Sequence, residues 1–377
     1  MTEEMPTSDF SWKRVIIKGL TLFLVINLLF APLHPLSNLG KISAYNRLFP
    51  GRLRLPYGEK SELAFNFSLY NLEAMFASHD LGANKKTDDE YRVLLIGDSS
   101  VWGYLLKPEN TLAAYINSAN IKTVDDRVVH AYNLGYPTMS LAKDLLILSD
   151  AMHYQPDLII WLVTLESFPV DKQLDSPIVQ NNSTRMQDLI RSYSLNLNMN
   201  DPRFVTPGFL ESTLLGQRRT VADIIRLQLY GILWAATGID QYYPDSFEPP
   251  QEDFAKDESF HEMSPRKLNP DDLSMDILSA GHEIADGVPI IFVNEPIYLS
   301  DGENSDIRYN FFYPRWAYDQ YRQLFAEYCQ QNDWQCLDKW DLVSPDEFTN
   351  SAIHMTPLGT QQLASQIENV IRSLQAP

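Results

Sequence analysis

The chain has 377 residues, 45% of them hydrophobic, which is enough to build one large domain or two ordinary ones and excludes a disordered protein. Against 30 Lys and Arg stand 49 Asp and Glu, a formal net charge of -19. Nucleic acid and acidic polymers reward positive fields, so neither is expected as a partner, and neutral or masked substrates fit better.

The first element is the apolar run VIIKGLTLFLVINLLFAPL at 15–33, preceded by Lys13 and Arg14 and broken by Pro32 and Pro35. It nearly reaches the ~20 residues of a membrane span if Lys18 turns its ammonium toward the head groups. An uncleaved anchor is the expectation. A cleaved signal peptide is the alternative, opposed by the length of the run and the lack of a small-x-small site behind it. Lys13, Arg14 and Lys18 on one side are answered by Lys41, Arg47, Arg52 and Arg54 on the other, so charge alone does not orient the span. The body is placed outside the cell membrane as a single-pass protein. In an oxidising compartment Cys329 and Cys336 could close a small loop, and the alternative is two unpaired core thiols.

Residues 1–34 are thus expected to be a cytoplasmic tail and transmembrane anchor, 35–90 a tether and lead-in, and 91–377 the main domain. Within the lead-in, NFSLYNLEAMFASHD at 66–80 reads as a strand followed by a helix. The polar run GANKKTDDE at 82–90 has no apolar period and marks the boundary.

From there strands and helices alternate. RVLLI at 92–96 is a short apolar run bounded by turn residues, the pattern of a buried parallel strand. TLAAYINSA repeats apolar positions at helical spacing, RVVHAYNLG is a second strand, and SLAKDLLILSDAM a second helix. DLIIWLVTL at 157–165 is a third strand. DILSAGHEIADG and VPIIFVNEP supply a helix and a fourth strand. RWAYDQYRQLFAEYCQQ is an amphipathic helix, DWQCLDKWD an extended run, and the closing helix starts near Pro357. This alternation predicts an α/β fold, a three-layer flavodoxin-like parallel sheet with right-handed crossovers. Ligands of such sheets sit beyond the carboxyl ends of the strands. The interruption at 167–271 is too long for a crossover and reads as an inserted helical subdomain. Its first part is polar, its middle at 220–239 is a largely apolar helix, and its acidic, proline-bearing end at 242–258 reads as a loop or lid. No internal repeat, metal-ligand spacing or glycine-rich phosphate loop is present, so no metal and no cofactor is expected.

In the parallel-sheet reading Ser99 of RVLLIGDSSVWG lands at the ligand edge, just before a helix. A serine hydroxyl needs a base within hydrogen-bond reach. Of seven histidines, His354 is the one placed to serve, because NSAIHMTPLG at 350–359 is a polar loop directly before the last helix. His130 lies within a strand, and His34, His79, His153, His261 and His282 have no companion motif.

On Gly97, Asp98 and Ser99, on Gly135 of YNLGYP and on His354, the chain resembles an SGNH hydrolase, the GDSL esterase superfamily, from about residue 91 onward. The resemblance implies Ser99 as nucleophile, the N–H groups of Ser99 and Gly135 as oxyanion donors, and His354 as base. Two departures stand out. Where the family places an oxyanion asparagine the chain has LVTLESF, offering Thr164 and Glu166, with Asn294 of FVNEP as another candidate. Where the family places an Asp three residues before the histidine stands Ser351, with Asn350 before it, and Asp346 lies further upstream. A Ser-His dyad oriented by Asn350 or Ser351 is the expectation. Arg308, Tyr309 and Tyr313 in the loop after the fourth strand are candidates for holding a sugar ring, the alternative being a loop pinned by aromatic packing.

The implied activity is that of an acyl-ester hydrolase or O-acyltransferase at the outer membrane face, acting on acylated carbohydrate. The resemblance further implies a multipass membrane acyltransferase as partner. Two other functions remain open: a non-catalytic carbohydrate-binding or scaffold protein that keeps the fold, and a lipase-like esterase on membrane lipids with the helix around 227–236 as lid.

Overall fold

Five short strands form one parallel sheet in the computed structural model, which describes residues 11–49, 51–57, 67–237 and 242–374. The strands are β1 (Glu90–Gly97), β2 (Val128–Gly135), β3 (Leu158–Val163), β4 (Ile290–Asn294) and β5 (Gln335–Asp338), in the order β2-β1-β3-β4-β5. The helices used below are α1 (Trp12–Leu33), α2 (Leu72–Ser78), α3 (Ser99–Trp102), α4 (Leu112–Ser118), α5 (Leu141–Ala151), α6 (Ser183–Ser192), α7 (Arg218–Thr237), α8 (Asp276–Ile284), α9 (Arg315–Gln331) and α10 (Pro357–Leu374). This is the expected three-layer α/β architecture.

Alternation along the strands makes the layers. Val93 and Leu95 of β1, with Ile160 and Leu162 of β3, face α4 and α10. Leu94 and Ile96, with Ile159 and Trp161, face α5, α8 and α9. Both faces are covered, which is why residues 93–96 of β1 and the whole of β3 read as continuous apolar runs with no polar alternate. The strand order reverses between β2 and β3 on either side of β1, and this switch point opens a crevice at the carboxyl ends.

Several segments depart from expectation. The stretch 35–90 is more than a tether: Leu55, Leu72, Met75, Phe76 and Leu81 are buried in the main core. Its expected first strand is a helical turn, Phe67–Tyr70, leading to α2, and residue 66 lies outside the described residues. The insertion is likewise continuous with the body. Leu174, Ile178, Val179, and Met186 and Ile190 of α6 join the same core, since a few apolar residues at helical spacing suffice to bury one face of an otherwise polar segment. The middle helix expected at 220–239 is α7, and residues 238 and 239 lie outside the described residues. Its Ile224, Leu227 and Trp234 pack with Tyr45, Phe67 and Ala74 of the lead-in.

The acidic end of the insertion is a strap laid across the loop after β4. Phe254 N–H donates to Glu303 O at 3.1 Å, Glu303 N–H to Asp253 Oδ1 at 2.7 Å, and Trp316 Nε1–H to Glu258 O at 2.6 Å. Cys329 and Cys336 form a disulfide that ties the end of α9 to β5. Among the described residues one helix, α1, is long and apolar enough to cross a membrane, with 22 residues and a mean hydropathy of 2.1 over its most apolar 18-residue stretch.

Candidate active site

β1 ends at Gly97, and Asp98 turns the chain into α3. The Asp98 carboxylate caps that helix by accepting the Ser100 N–H at 2.8 Å. Ser99 is therefore the first helical residue, partly exposed at the carboxyl edge. The tip of β2 runs beneath α3 because residue 135 is a glycine: a Cβ there would lie 2.3 Å from Trp102 N.

His354 arrives from the opposite flank of the sheet, in the turn between β5 and α10. Thr349 pins this turn, its N–H donating to His354 O at 2.7 Å and its hydroxyl to the same oxygen at 3.1 Å. His354 Nε2 then lies 2.8 Å from Ser99 Oγ, and Nδ1 lies 3.2 Å from Asn350 Oδ1. A carboxamide oxygen only accepts, so Nδ1 carries the proton and Nε2 presents its lone pair to the serine hydroxyl. Burial lowers the pKa of His354 to about 4, leaving the ring neutral over the physiological range.

Tyr104 stacks on the imidazole with ring centroids 4.8 Å apart and planes at 29°. A tight turn brings it there. Gly103 has φ +85° and Leu105 φ +63°, the latter a strained value for a branched side chain. Tyr104 has no motif of its own in the sequence, because its role exists only once β5 and α10 deliver the histidine.

The remaining sequence candidates are not gathered at this centre. Ser351 is buried, its N–H on Thr349 O at 2.7 Å, and Asn350 is the side chain that meets the imidazole. Asp346 lies in the one-turn helix Pro345–Glu347. Thr164 is fully buried and donates to Tyr313 Oη at 2.9 Å. Asn294 donates to Asp338 Oδ1 at 2.8 Å, while its own oxygen faces the Tyr318 and Tyr321 hydroxyls of α9 at 3.3 and 3.2 Å. Both expected oxyanion donors are thus spent in the core. Gly135 N–H is met by Asn133 Oδ1 at 3.1 Å.

The Arg308 and Tyr309 expectation is also corrected. The Arg308 guanidinium is buried against the carbonyls of Asn310, Phe311, Asp257 and Ser259 at 2.7–3.3 Å, where it clamps the strap to the loop after β4. The Tyr309 hydroxyl donates to Asp319 at 2.8 Å and its ring lies under Arg315. Glu166 is held by Lys172 and by His261 Nε2 of the strap, the latter at 3.0 Å.

Beneath Ser99 lies a buried acidic cluster with no sequence forecast. Ser100 Oγ donates to Glu295, which follows Asn294 at the end of β4. Lys143 of α5 donates to Gly97 O at 2.7 Å, Tyr136 O at 3.2 Å and Asp144 Oδ1 at 2.5 Å, and Trp161 Nε1–H reaches Asp144 Oδ2 at 3.1 Å. The Lys143 ammonium is bonded to Asp144 and its charge also acts on Asp98, while Glu295 is bonded to Ser100. Burial raises Asp98 and brings Asp144 up to about 6, and burial together with the charge of Asp98 pushes Glu295 well above the usual carboxylate range. Both effects favour the neutral form of Glu295. A lysine interrupting the apolar run of α5 and a carboxylate directly after a buried strand were the available signals.

No protein-family model and no curated protein matches the chain. Among solved structures, its neighbours across about three quarters of its length are esterases. A carbohydrate acetylesterase family member from Sinorhizobium meliloti is 12% identical over 75% of this chain and 98% of its own, with a TM-score of 0.34. A member of the lipolytic G-D-S-L family from Veillonella parvula is 11% identical over 74% and 98%, with a TM-score of 0.35. An aryl esterase of M. smegmatis is 12% identical over 75% and 99%, with a TM-score of 0.34.

Proposed function

We propose that the chain is a serine-dependent acyl-ester hydrolase or O-acyltransferase, held by α1 at the outer face of a membrane. The observation that carries this reading is the 2.8 Å contact between Ser99 Oγ and His354 Nε2 at the ligand edge of a parallel sheet. Ser99 Oγ adds to an ester carbonyl carbon while His354 Nε2 takes the hydroxyl proton. The carbonyl π electrons move onto oxygen, which the Ser99 N–H at the start of α3 holds. Gly135 N–H joins only if the Asn133 carboxamide turns away. Collapse of the tetrahedral adduct breaks the bond to the leaving alcohol, which takes the proton from His354. Water then releases a carboxylic acid, or a second hydroxyl takes the acyl group. Acylated carbohydrate is the substrate class implied by the sequence resemblance, and the net charge of -19 favours a neutral polymer over an acidic one.

The dyad is built for slow turnover, since a carboxamide at Nδ1 fixes the tautomer without stabilising the imidazolium. In a serine protease, replacing the corresponding carboxylate by an amide costs ~10⁴-fold in turnover. That feature, with Thr164 and Asn294 committed to the core, supports the second reading, a non-catalytic carbohydrate-binding scaffold. A fluorophosphonate probe separates the two. Labelling that vanishes in Ser99→Ala and weakens in His354→Ala is expected of the enzyme, and folded wild-type protein that takes no label leaves the scaffold. Comparison of acetyl with long-chain esters, with and without a sugar alcohol as acceptor, distinguishes carbohydrate esterase, lipase-like esterase and transferase.

A further inference from the structure

The outer half of α1, residues 23–33, holds one polar side chain, Asn27. Its Oδ1 accepts the backbone N–H of Leu215 at 2.7 Å. Leu215 belongs to a tip of the insertion that begins with the one-turn helix Phe209–Ser212, which itself packs against α1. The tip is compact: a Cβ on Gly216 would come within 2.4 Å of Glu211 O, so the chain closes back on its own backbone there. Its apolar side chains have no cover. Phe209, Leu210 and Leu215 are 60%, 78% and 55% exposed, a row of large apolar groups beside an apolar helix that is itself bare.

Depth decides what covers them. At 1.5 Å per residue α1 is ~33 Å long, close to the ~30 Å hydrocarbon core of a bilayer, and Asn27 lies ~9 Å short of its outer end. A carboxamide at that depth needs a protein partner, because lipid offers none. Any backbone group that reaches Asn27 shares its depth, and ~9 Å falls within the ~5–10 Å to which interfacial elements sink. The charges agree with this placement. Between 205 and 219 the only acid is Glu211, whose carboxylate is tied to Gly208 N–H at 2.9 Å, and Arg218 and Arg219 follow, exposed, where lipid phosphates would lie.

We propose that the tip at 209–215 is a membrane-insertion element whose Phe209, Leu210 and Leu215 enter the acyl region of the outer leaflet beside α1. The proposal rests on α1 being retained as a transmembrane anchor. It fastens the body to the bilayer at two points, so that the ligand edge is held at a set height instead of swinging on a tether.

The test uses the full-length protein in phosphatidylcholine nanodiscs, with an environment-sensitive NBD dye on single cysteines introduced as Leu24→Cys in α1, Leu210→Cys in the tip, and Asp188→Cys on the exposed face of α6. The expected result is blue-shifted emission at 24 and 210, quenched by spin-labelled acyl chains and severalfold less accessible to aqueous iodide than position 188. Protection at 24 with position 210 as open to iodide as 188 overturns the tip and leaves the anchor standing. Exposure at both removes the anchor and the tip together.

Discussion

His354 and Glu295 show how single side chains set the properties of this site. Burial holds the His354 pKa near 4, and its Nδ1 partner, Asn350, contributes no charge to offset that penalty. A base must be unprotonated to act, so the acid limb of kcat/KM is expected near pH 4 instead of near the ordinary histidine value. Asn350→Asp places a carboxylate at Nδ1. Its limb should move up by about one unit or more, with kcat rising about tenfold or more as the imidazolium gains a counter-charge. A pH–rate profile reads both effects, and an unmoved limb would separate Asn350 from the base.

Glu295 works through protonation. A carboxyl whose folded pKa lies above its unfolded value binds more protons in the native state, so its contribution to stability shrinks as pH rises above the unfolded value. Glu295→Gln keeps an acceptor for Ser100 Oγ without an ionisable proton, and should raise the melting temperature more at pH 8 than at pH 5. Glu295→Ala leaves a buried hydroxyl unsatisfied and a void, and should cost about 2–4 kcal/mol at both. Thermal melts at the two pH values check this, and equal losses for Gln and Ala at pH 8 would mean that the native carboxyl is ionised.

At the scale of elements, the crossing of α3 over the end of β2 decides where Ser99 stands. Gly135→Ala puts a methyl 2.3 Å from Trp102 N, a backbone atom that can yield only if the whole turn shifts. Urea unfolding should show a loss of about 1–3 kcal/mol. Probe labelling of Ser99 should fall further than that loss explains, because α3 carries the hydroxyl away from His354. The Cys329–Cys336 disulfide closes a short loop between α9 and β5, and replacing both cysteines by Ala should cost about 2 kcal/mol by the same measurement. Its effect on labelling should be small, since His354 is positioned by the Thr349 turn.

Across the whole molecule, His261 fastens the end of the strap to Glu166 at the ligand edge. Burial pulls the His261 imidazole down, but its bond to Glu166 and the charges of Glu166 and Asp171 outweigh it and hold the pKa above the ordinary value, with Lys172 opposing. A raised histidine pKa stabilises the docked strap below the unfolded value of about 6.5, and that contribution is lost as pH rises through the folded one. Limited proteolysis within 242–259 should therefore speed up from pH 6 to pH 8 in the wild type. In His261→Gln the rate should be nearly pH-independent, and an unchanged pH dependence there would release His261 from this role.

Local pattern was enough for much of this protein. Strand-length apolar runs, helical spacing and turn residues specify a parallel sheet covered on both faces, and the topology alone then carries Ser99 and His354 to one edge. Asn350 was legible for the same reason, being four residues from the histidine in one turn. Tertiary structure decided the hydrogen bonds. Thr164 and Asn294 sit at strand ends as expected, yet their side chains belong to Tyr313, Tyr318, Tyr321 and Asp338, partners that only the docking of α9 and β5 supplies. Arg308 became a clamp because the strap folds over it, and 35–90 became core because the β2 edge of the sheet needed cover. A buried polar group must be satisfied by whatever reaches it, and what reaches it in a fold of this kind comes from dozens of residues away.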